Sequence, residues 1–243
     1  MNERKSEMGT LIFERSLNSQ TRNSVSAVFF RVFSVFRGLI TALSLCAVSL
    51  QAAESVLYEN NFEKEEPGKV PADFMVLDGG FAVKEEAGNK FLELPGSPLD
   101  SFAVQFGPTE SSNVCVSARI YATGKGRRFP TFGVGLNGVA GYKLQAAPGK
   151  KLIELLKDQN VLASVPYDWK SGEWLSFRLQ IRQTGESAWK IEGKVWPHGK
   201  IEPSAWSVTA DEKEEPLSGR PSVFGSPFSG TPIWFDDLRV VKS

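Results

Sequence analysis

The sequence predicts an all-β protein, a two-sheet antiparallel β-sandwich preceded by an N-terminal signal helix. Three observations predict it. From Val56 onward apolar and polar residues alternate with period two, as in strands that bury one face. The 22 glycines and 14 prolines of the 243-residue chain, together about 15%, suit many turns rather than long helices. After Ala53 no segment carries a sustained helical stripe. A 41% hydrophobic composition suffices for one core, so residues 54–243 read as a single sandwich domain and residues 1–53 as its leader.

Taken in order, Val56–Phe62 opens the domain and the charged loop Glu63–Lys69 follows, carrying Pro67-Gly68. Phe74–Leu77 and Phe81–Lys84 flank Asp78-Gly79-Gly80, and Ala87-Gly88-Asn89 leads into Lys90–Leu94. Phe102–Phe106 and Val114–Tyr121 come next; in the latter Val114, Val116, Ala118 and Ile120 oppose Cys115, Ser117, Arg119 and Tyr121. Thr131–Leu136 and Gly141–Ala146 precede Pro148-Gly149. Lys151–Leu156 has the content of a helical turn, but its flanking glycine and β surroundings favour a strand, followed by Val161–Val165. Ser171-Gly172 precedes Trp174–Arg182, and Thr184-Gly185 separates it from Trp189–Trp196. Trp206–Thr209, Pro221–Gly225 and Ile233–Val241 close the chain, with Asp211–Pro216 as a second charged loop of solvated surface.

The first 53 residues read differently. Arg4, Lys5, Arg15, Arg22, Arg31 and Arg37 precede an uncharged apolar run, Gly38–Leu50, and Gln51, Ala52 and Ala53 follow it. That order is the one of a secretory signal peptide, with cleavage expected after Ala52 or Ala53 and Met8 as an alternative start. The run falls short of the roughly 20 apolar residues of a membrane span. The expectation is a secreted or periplasmic monomer with no membrane span in its mature part. Cys115 is then the only mature cysteine, without an internal disulfide, and reads as an inert strand residue. Lys+Arg and Asp+Glu are each 28, so no net charge recruits nucleic acid.

In Trp174–Arg182, Leu175, Phe177, Leu179 and Ile181 share one face. In Trp189–Trp196, Trp189, Ile191, Gly193 and Val195 do the same. If these strands lie in one sheet with Val114–Tyr121, then Arg119, Tyr121, Arg178, Glu192 and Trp196 line its outer surface, with Ser117, Gln180 and Lys194. Aromatic rings stack on sugar C–H faces while Arg, Gln and Glu bond hydroxyls, so these residues are the candidate binding set. An ordinary solvated face with cross-strand ion pairs is the other reading. Tyr142, which follows two glycines, is the candidate for ligand stacking on a concave face. Trp189 and Trp234 are expected in the core.

Five segments carry a family resemblance: Tyr58–Pro71 (YENNFEKEEPGKVP), Phe132–Leu144 (FGVGLNGVAGYKL), Trp169–Phe177 (WKSGEWLSF), Lys194–Trp206 (KVWPHGKIEPSAW) and Ile233–Val240 (IWFDDLRV). In this order and spacing the chain resembles the concanavalin-A-like lectin/glucanase domains, of the laminin-G-like kind common in secreted bacterial proteins. The resemblance implies a jelly roll whose closing strand lies beside the first. It also implies a carbohydrate-linked role, with a polysaccharide or cell-surface glycan as partner. The family's glucanases carry Glu-x-Asp-x-x-Glu on one strand. Here Glu93, Glu154 and Glu192 stand alone, and the only histidine, His198, lies in a Pro-His-Gly turn. The expectation is therefore a secreted non-catalytic carbohydrate-binding or interaction module. The alternative is a glycan-processing, glycoside hydrolase-like enzyme using a carboxylate on the concave sheet, with Glu192 its first candidate. The resemblance further implies Ca2+ where first and last strands meet, with Asp236 and Glu63 as ligands; the alternative is an aspartate capping a bulge.

Overall fold

The computed structural model describes residues 55–96, 100–227 and 230–243. The expected signal peptide and its helix, residues 1–53, lie outside the described residues. Fifteen strands follow one another: β1 (Val56–Asn60), β2 (Met75–Asp78), β3 (Ala82–Glu86), β4 (Asn89–Leu94), β5 (Phe102–Gln105), β6 (Val114–Ala122), β7 (Thr131–Leu136) and β8 (Tyr142–Ala147). Then come β9 (Leu152–Lys157), β10 (Asn160–Pro166), β11 (Trp174–Gly185), β12 (Ala188–Pro197), β13 (Val208–Glu212), β14 (Ser222–Ser226) and β15 (Ile233–Lys242). A single 3-10 turn, Pro148–Lys150, interrupts them among the described residues.

The strands form two antiparallel sheets, as the alternation predicts. The first has the order β13-β12-β11-β6-β15-β4-β3, and the second β10-β9-β8-β7-β14-β5-β2. β15 is the seam of the first sheet. Ile233–Phe235 pair with β4, Leu238–Val241 pair with β1, and the opposite edge pairs with β6 along most of its length. First and last strands are thus neighbours, as the family resemblance implies. Lys151–Leu156 is a strand rather than a helical turn, because its alternate residues Ile153 and Leu155 enter the core.

The core lies between the sheets. From the first sheet Val116, Ile120, Leu175, Phe177, Leu179, Ile191, Phe235 and Val240 point inward; from the second Phe132, Val134, Tyr142, Leu144, Ile153 and Val223 meet them. This apolar burial, at about 25 cal/mol per Å2, is the main favourable term. Gly193 lets the sheets approach, since a Cβ there would stand 2.6 Å from Leu144 Cδ1.

A bulge in β15 shapes the outer face of the first sheet. Between the pairs Asp236↔Arg119 and Arg239↔Ser117, β15 holds one residue more than β6. Asp237 has φ 48°, a left-handed conformation that aspartate tolerates. The bulge leaves Asp236 and Asp237 consecutive on the side away from the core and returns Leu238 and Val240 to it.

Candidate functional site

The first sheet does bring most of the predicted binding residues together. Across its outer face one row reads Trp196, Ser176, Arg119, Asp236 and the next reads Lys194, Arg178, Ser117, Arg239. Arg119, Arg178 and Trp196 line a small cleft of about 190 Å3 with His198 and Glu202. The polar groups there are already engaged with one another. Arg119 Nη2 donates to Asp236 Oδ2 at 2.5 Å and to Asn89 Oδ1 at 2.8 Å. Its Nε stands 2.9 Å from Asp237 Oδ2 without the alignment of a hydrogen bond, and the guanidinium lies 4.8 Å from the centre of the Trp174 ring. Asp236 is 0% exposed. Its burial pushes the carboxyl above the usual range, while Asn89 and Arg119 pull it back. Arg178 donates to Cys115 Sγ (3.2 Å) and to Glu202 Oε1 (3.3 Å), and Ser176 Oγ pairs with His198 Nδ1 at 3.1 Å.

Several predicted residues are buried or packed against neighbours. Tyr121 stacks on Trp234 at 4.6 Å and packs against Trp174 at 5.5 Å, so its ring faces are occupied by neighbouring rings. Trp234 itself lies in this outer cluster, stacked on Phe91 at 4.5 Å, and not in the core as expected; Trp189 is in the core. The phase explains it: Trp234 alternates with Ile233 and Phe235, which point inward. Glu192 is buried on β12, where it accepts from Gln180 Nε2 at 2.6 Å, and it is not among the residues lining the Arg119 cleft. Tyr142 is 1% exposed and belongs to the core, not to a concave face. It is in phase with Leu144 and Ala146, and its hydroxyl reaches past the core to donate to Glu212 Oε2 at 2.9 Å.

The residues offered for Ca2+ do not fit it. Asp236 Oδ2 accepts from Arg119 and Asn89 and Oδ1 from the Asp237 N–H, so a guanidinium already sits where a cation would. Glu63 Oε1 accepts from the Lys90 N–H instead. Among the described residues no group of three or more His, Cys, Asp or Glu is placed to hold a metal ion. Millimolar calcium is expected to leave the melting temperature of the domain unchanged; a rise with calcium concentration, as linkage requires of a bound ion, would show a site formed from other donors.

The second sheet carries a cleft that the strand pattern alone does not reveal. It measures about 380 Å3 and is lined by residues of β2, β5, β14, β8 and β9 on the outer face. Two register rows of the sheet supply most of its strand residues. One runs Gln105, Ser222, Gly135, Lys143, Leu156; the other runs Ala103, Phe224, Gly133, Gln145, Glu154. In the middle of both, β7 supplies glycine. Phe132, Val134 and Leu136 fill the inner positions, and the outward Gly133 and Gly135 are buried without side chains of their own, so the cleft is walled by side chains from β14 and β8. A Cβ on Gly133 would lie 2.0 Å from the Leu144 carbonyl oxygen, and one on Gly135 would lie 2.5 Å from Ser222 Oγ, so the Ser222 hydroxyl sits over Gly135.

The polar side chains of this trough are of two kinds. Gln145 is fixed, because its Nε2 donates to Glu154 Oε2 at 2.7 Å and Glu154 is held in turn by Lys150 Nζ at 2.9 Å. The Gln145 carbonyl oxygen is thereby left as an acceptor. Gln105 and Ser222 are only 8% and 6% exposed, line the cleft, and make no side-chain hydrogen bond to any described residue. Native proteins pair such groups with protein or water, so an amide and a hydroxyl left open in a groove await a partner. Phe224 adds one ring and Leu77 and Val139 add apolar walls. Part of the signal is in the sequence: Gly133 and Gly135, and then Lys143 and Gln145, occupy the outward phase of their strands. What the sequence does not show is that β14 inserts between β5 and β7, carrying Ser222 to the centre.

No family model matches the chain, and no curated protein matches it. Solved structures do. One, from work on endo-acting O-glycanases that human gut microbiota express to initiate mucin breakdown, superposes with TM-score 0.52 at 14% identity, covering 77% of this chain and 99% of that one. An immunostimulatory antigen and pseudo beta-1,3-glucanase of Mycobacterium tuberculosis gives 0.51 at 15% identity, covering 78% and 99%. A glycoside hydrolase family 43 protein of Bacillus licheniformis gives 0.52 at 10% identity, and there the match covers 76% of this chain but 39% of that one. At these identities the likeness is one of fold: a two-sheet β-sandwich that glycan-active proteins also use.

Proposed function

We propose that the protein is an exported, non-catalytic carbohydrate-binding module whose ligand lies in the trough of the second sheet. The observation that carries this is the pair Gln105 and Ser222, nearly buried, without partners among the described residues and open to the trough. A glycan offers what they lack: closely spaced hydroxyls that both donate and accept, on a ring with apolar faces for Phe224. The named glycan-active proteins among the structural neighbours support the same reading, as does the leader Gly38–Leu50 for export.

The carboxylates favour binding over hydrolysis. Glycosidases need two carboxyl groups about 5–9.5 Å apart. Of the acids lining the cleft, Asp78 is on β2 and Asp158 follows β9, five strand spacings apart, or roughly 24 Å along the sheet. Glu154, on β9 itself, is committed to Lys150 and Gln145.

The test is binding to a panel of soluble polysaccharides by the wild type, Gln105→Ala and Ser222→Ala. Each variant is expected to bind about 10-fold more weakly, since a lost hydrogen bond to a neutral group is worth about 1.4 kcal/mol or a little less. Variants that bind as the wild type does would move the ligand off this sheet, and the Arg119, Arg178 and Trp196 cleft would be the place to look. Release of reducing ends, abolished in Asp78→Asn, would establish the hydrolase reading instead.

A further inference from the structure

Lys143 extends the reading of the trough from a glycan to a kind of glycan. It stands on β8 in the same row as Gln105 and Ser222, with Gly135 between, and it lines the cleft. Two other lysines of this region are neutralised: Lys150 pairs with Glu154 at 2.9 Å, and Lys157 pairs with Glu212 at 2.7 Å and Glu214 at 3.1 Å. Lys143 makes no ion pair and no side-chain hydrogen bond among the described residues, and the acids beside it on β9 and β13 are those that Lys150 and Lys157 already hold.

Two further carboxylates reach the cleft. Asp78 is on β2, four strand spacings or roughly 19 Å along the sheet from β8, with one oxygen taken by the Gly79 N–H. Asp158 stands at the Lys143 end, in the turn after β9, yet the two form no ion pair. At this end the trough therefore holds a cation that makes no ion pair, and near it a carboxylate that a hydroxyl would satisfy.

The spacing sets the size of what fits. From Ser222 on β14 to Lys143 on β8 is two strand spacings, roughly 10 Å, and the strand between them contributes Gly135, which has no side chain. A single pyranose ring spans that gap. We infer, resting on the binding reading above, that the ligand is an acidic glycan. A ring lies between Ser222 and Lys143 with its carboxylate on Lys143 Nζ, a hydroxyl on Ser222, and a neighbouring hydroxyl donating to Asp158. A carboxylate on the ring supplies the missing counterion within a groove that limits screening, whereas a neutral sugar leaves the ammonium unpaired.

The experiment uses pairs of polysaccharides that differ only at that carboxyl: polygalacturonate, alginate and hyaluronan, each beside its carboxyl-reduced form. The wild-type domain is expected to bind at least one acidic form at least ten-fold more tightly than its reduced partner, with an affinity that falls as salt rises. Lys143→Gln should bring the two forms within two-fold of each other, and Lys143→Arg should restore the preference; equal melting temperatures show that both variants fold. Asp158→Asn should leave the acid preference in place. Binding of a reduced form as tight as its acidic parent overturns this inference and leaves the glycan reading standing. Binding of neither form, nor of any neutral polysaccharide, overturns both. Retention of the acid preference in Lys143→Gln would place the carboxylate elsewhere and overturn the role of Lys143.

Discussion

Replacing Arg119 with alanine is expected to lower stability by about 3–5 kcal/mol, the cost of removing one partner from a buried pair. Asp236 is the reason. It has no solvent exposure, and its three ties are to Arg119, Asn89 and the amide of Asp237. Without Arg119 a charge remains in apolar surroundings, and its carboxyl, already raised by burial, rises further. The sign follows. A carboxyl raised in the folded state holds a proton better folded than unfolded, so lowering the pH relieves the defect. The gap between wild type and Arg119→Ala should narrow as pH falls below neutrality. Urea unfolding at pH 7 and pH 5 measures both quantities. The double variant Arg119→Ala with Asp236→Asn should recover most of the loss, because it removes the stranded charge as well as its partner. A loss below about 1 kcal/mol at pH 7 would mean that the pair behaves as an exposed surface bridge.

The same pairing explains why the first sheet presents a poor binding face despite its composition. Arginines, a tyrosine and tryptophans on adjacent strands look like a recognition surface when faces alone are known. Face assignment follows from phase, and the phase of Val114–Tyr121, Trp174–Arg182 and Trp189–Trp196 is legible in the sequence, while their common sheet is a supposition there that the structure bears out. Whether a polar side chain on that face is free depends on its neighbour across the ladder, and the neighbour is set by topology. β15 comes to lie against β6 through a pairing of residues more than a hundred positions apart in sequence, and its bulge brings Asp236 and Asp237 to Arg119. The second sheet shows the converse. Nothing about Ser222 distinguishes it until β14 lies between β5 and β7, opposite Gln105 and Gly135. Tyr142 departs from its expected place for a different reason. Its phase with Leu144 and Ala146 points inward, but its hydroxyl argues for an exposed position. The acceptor that permits burial, Glu212, belongs to a segment that reads as a solvated loop.

Glu212→Gln is the second substitution expected to have a large effect, about 2 kcal/mol at neutral pH, and its signature is in the pH dependence. Burial alone would raise this carboxyl. The Lys157 ammonium, the Glu214 N–H, the Tyr142 hydroxyl and the Lys213 N–H outweigh it and hold the group down at about 2. A depressed carboxyl contributes stability that is complete above its ordinary value of 4.5 and is lost as pH falls from there towards 2. A shift of that size corresponds to roughly 3 kcal/mol at 1.36 per unit, reduced here because one edge of the carboxylate meets solvent. Wild type and Glu212→Gln should therefore differ at pH 7 and converge near pH 2.5. Glu214→Gln, on the exposed partner of Lys157, should have no measurable effect at either pH. A gap that persists unchanged at pH 2.5 would assign the loss to packing and not to charge. The consequence reaches the trough. Glu212 is on β13 of the first sheet, while Tyr142 and Lys157 are on β8 and β9 of the second, so this cluster ties the sheets together at one end. Tyr142 is anchored inward on β8, and the next residue, Lys143, points outward into the cleft. Loosening the anchor should weaken ligand binding as well as stability, although Glu212 touches no part of the groove.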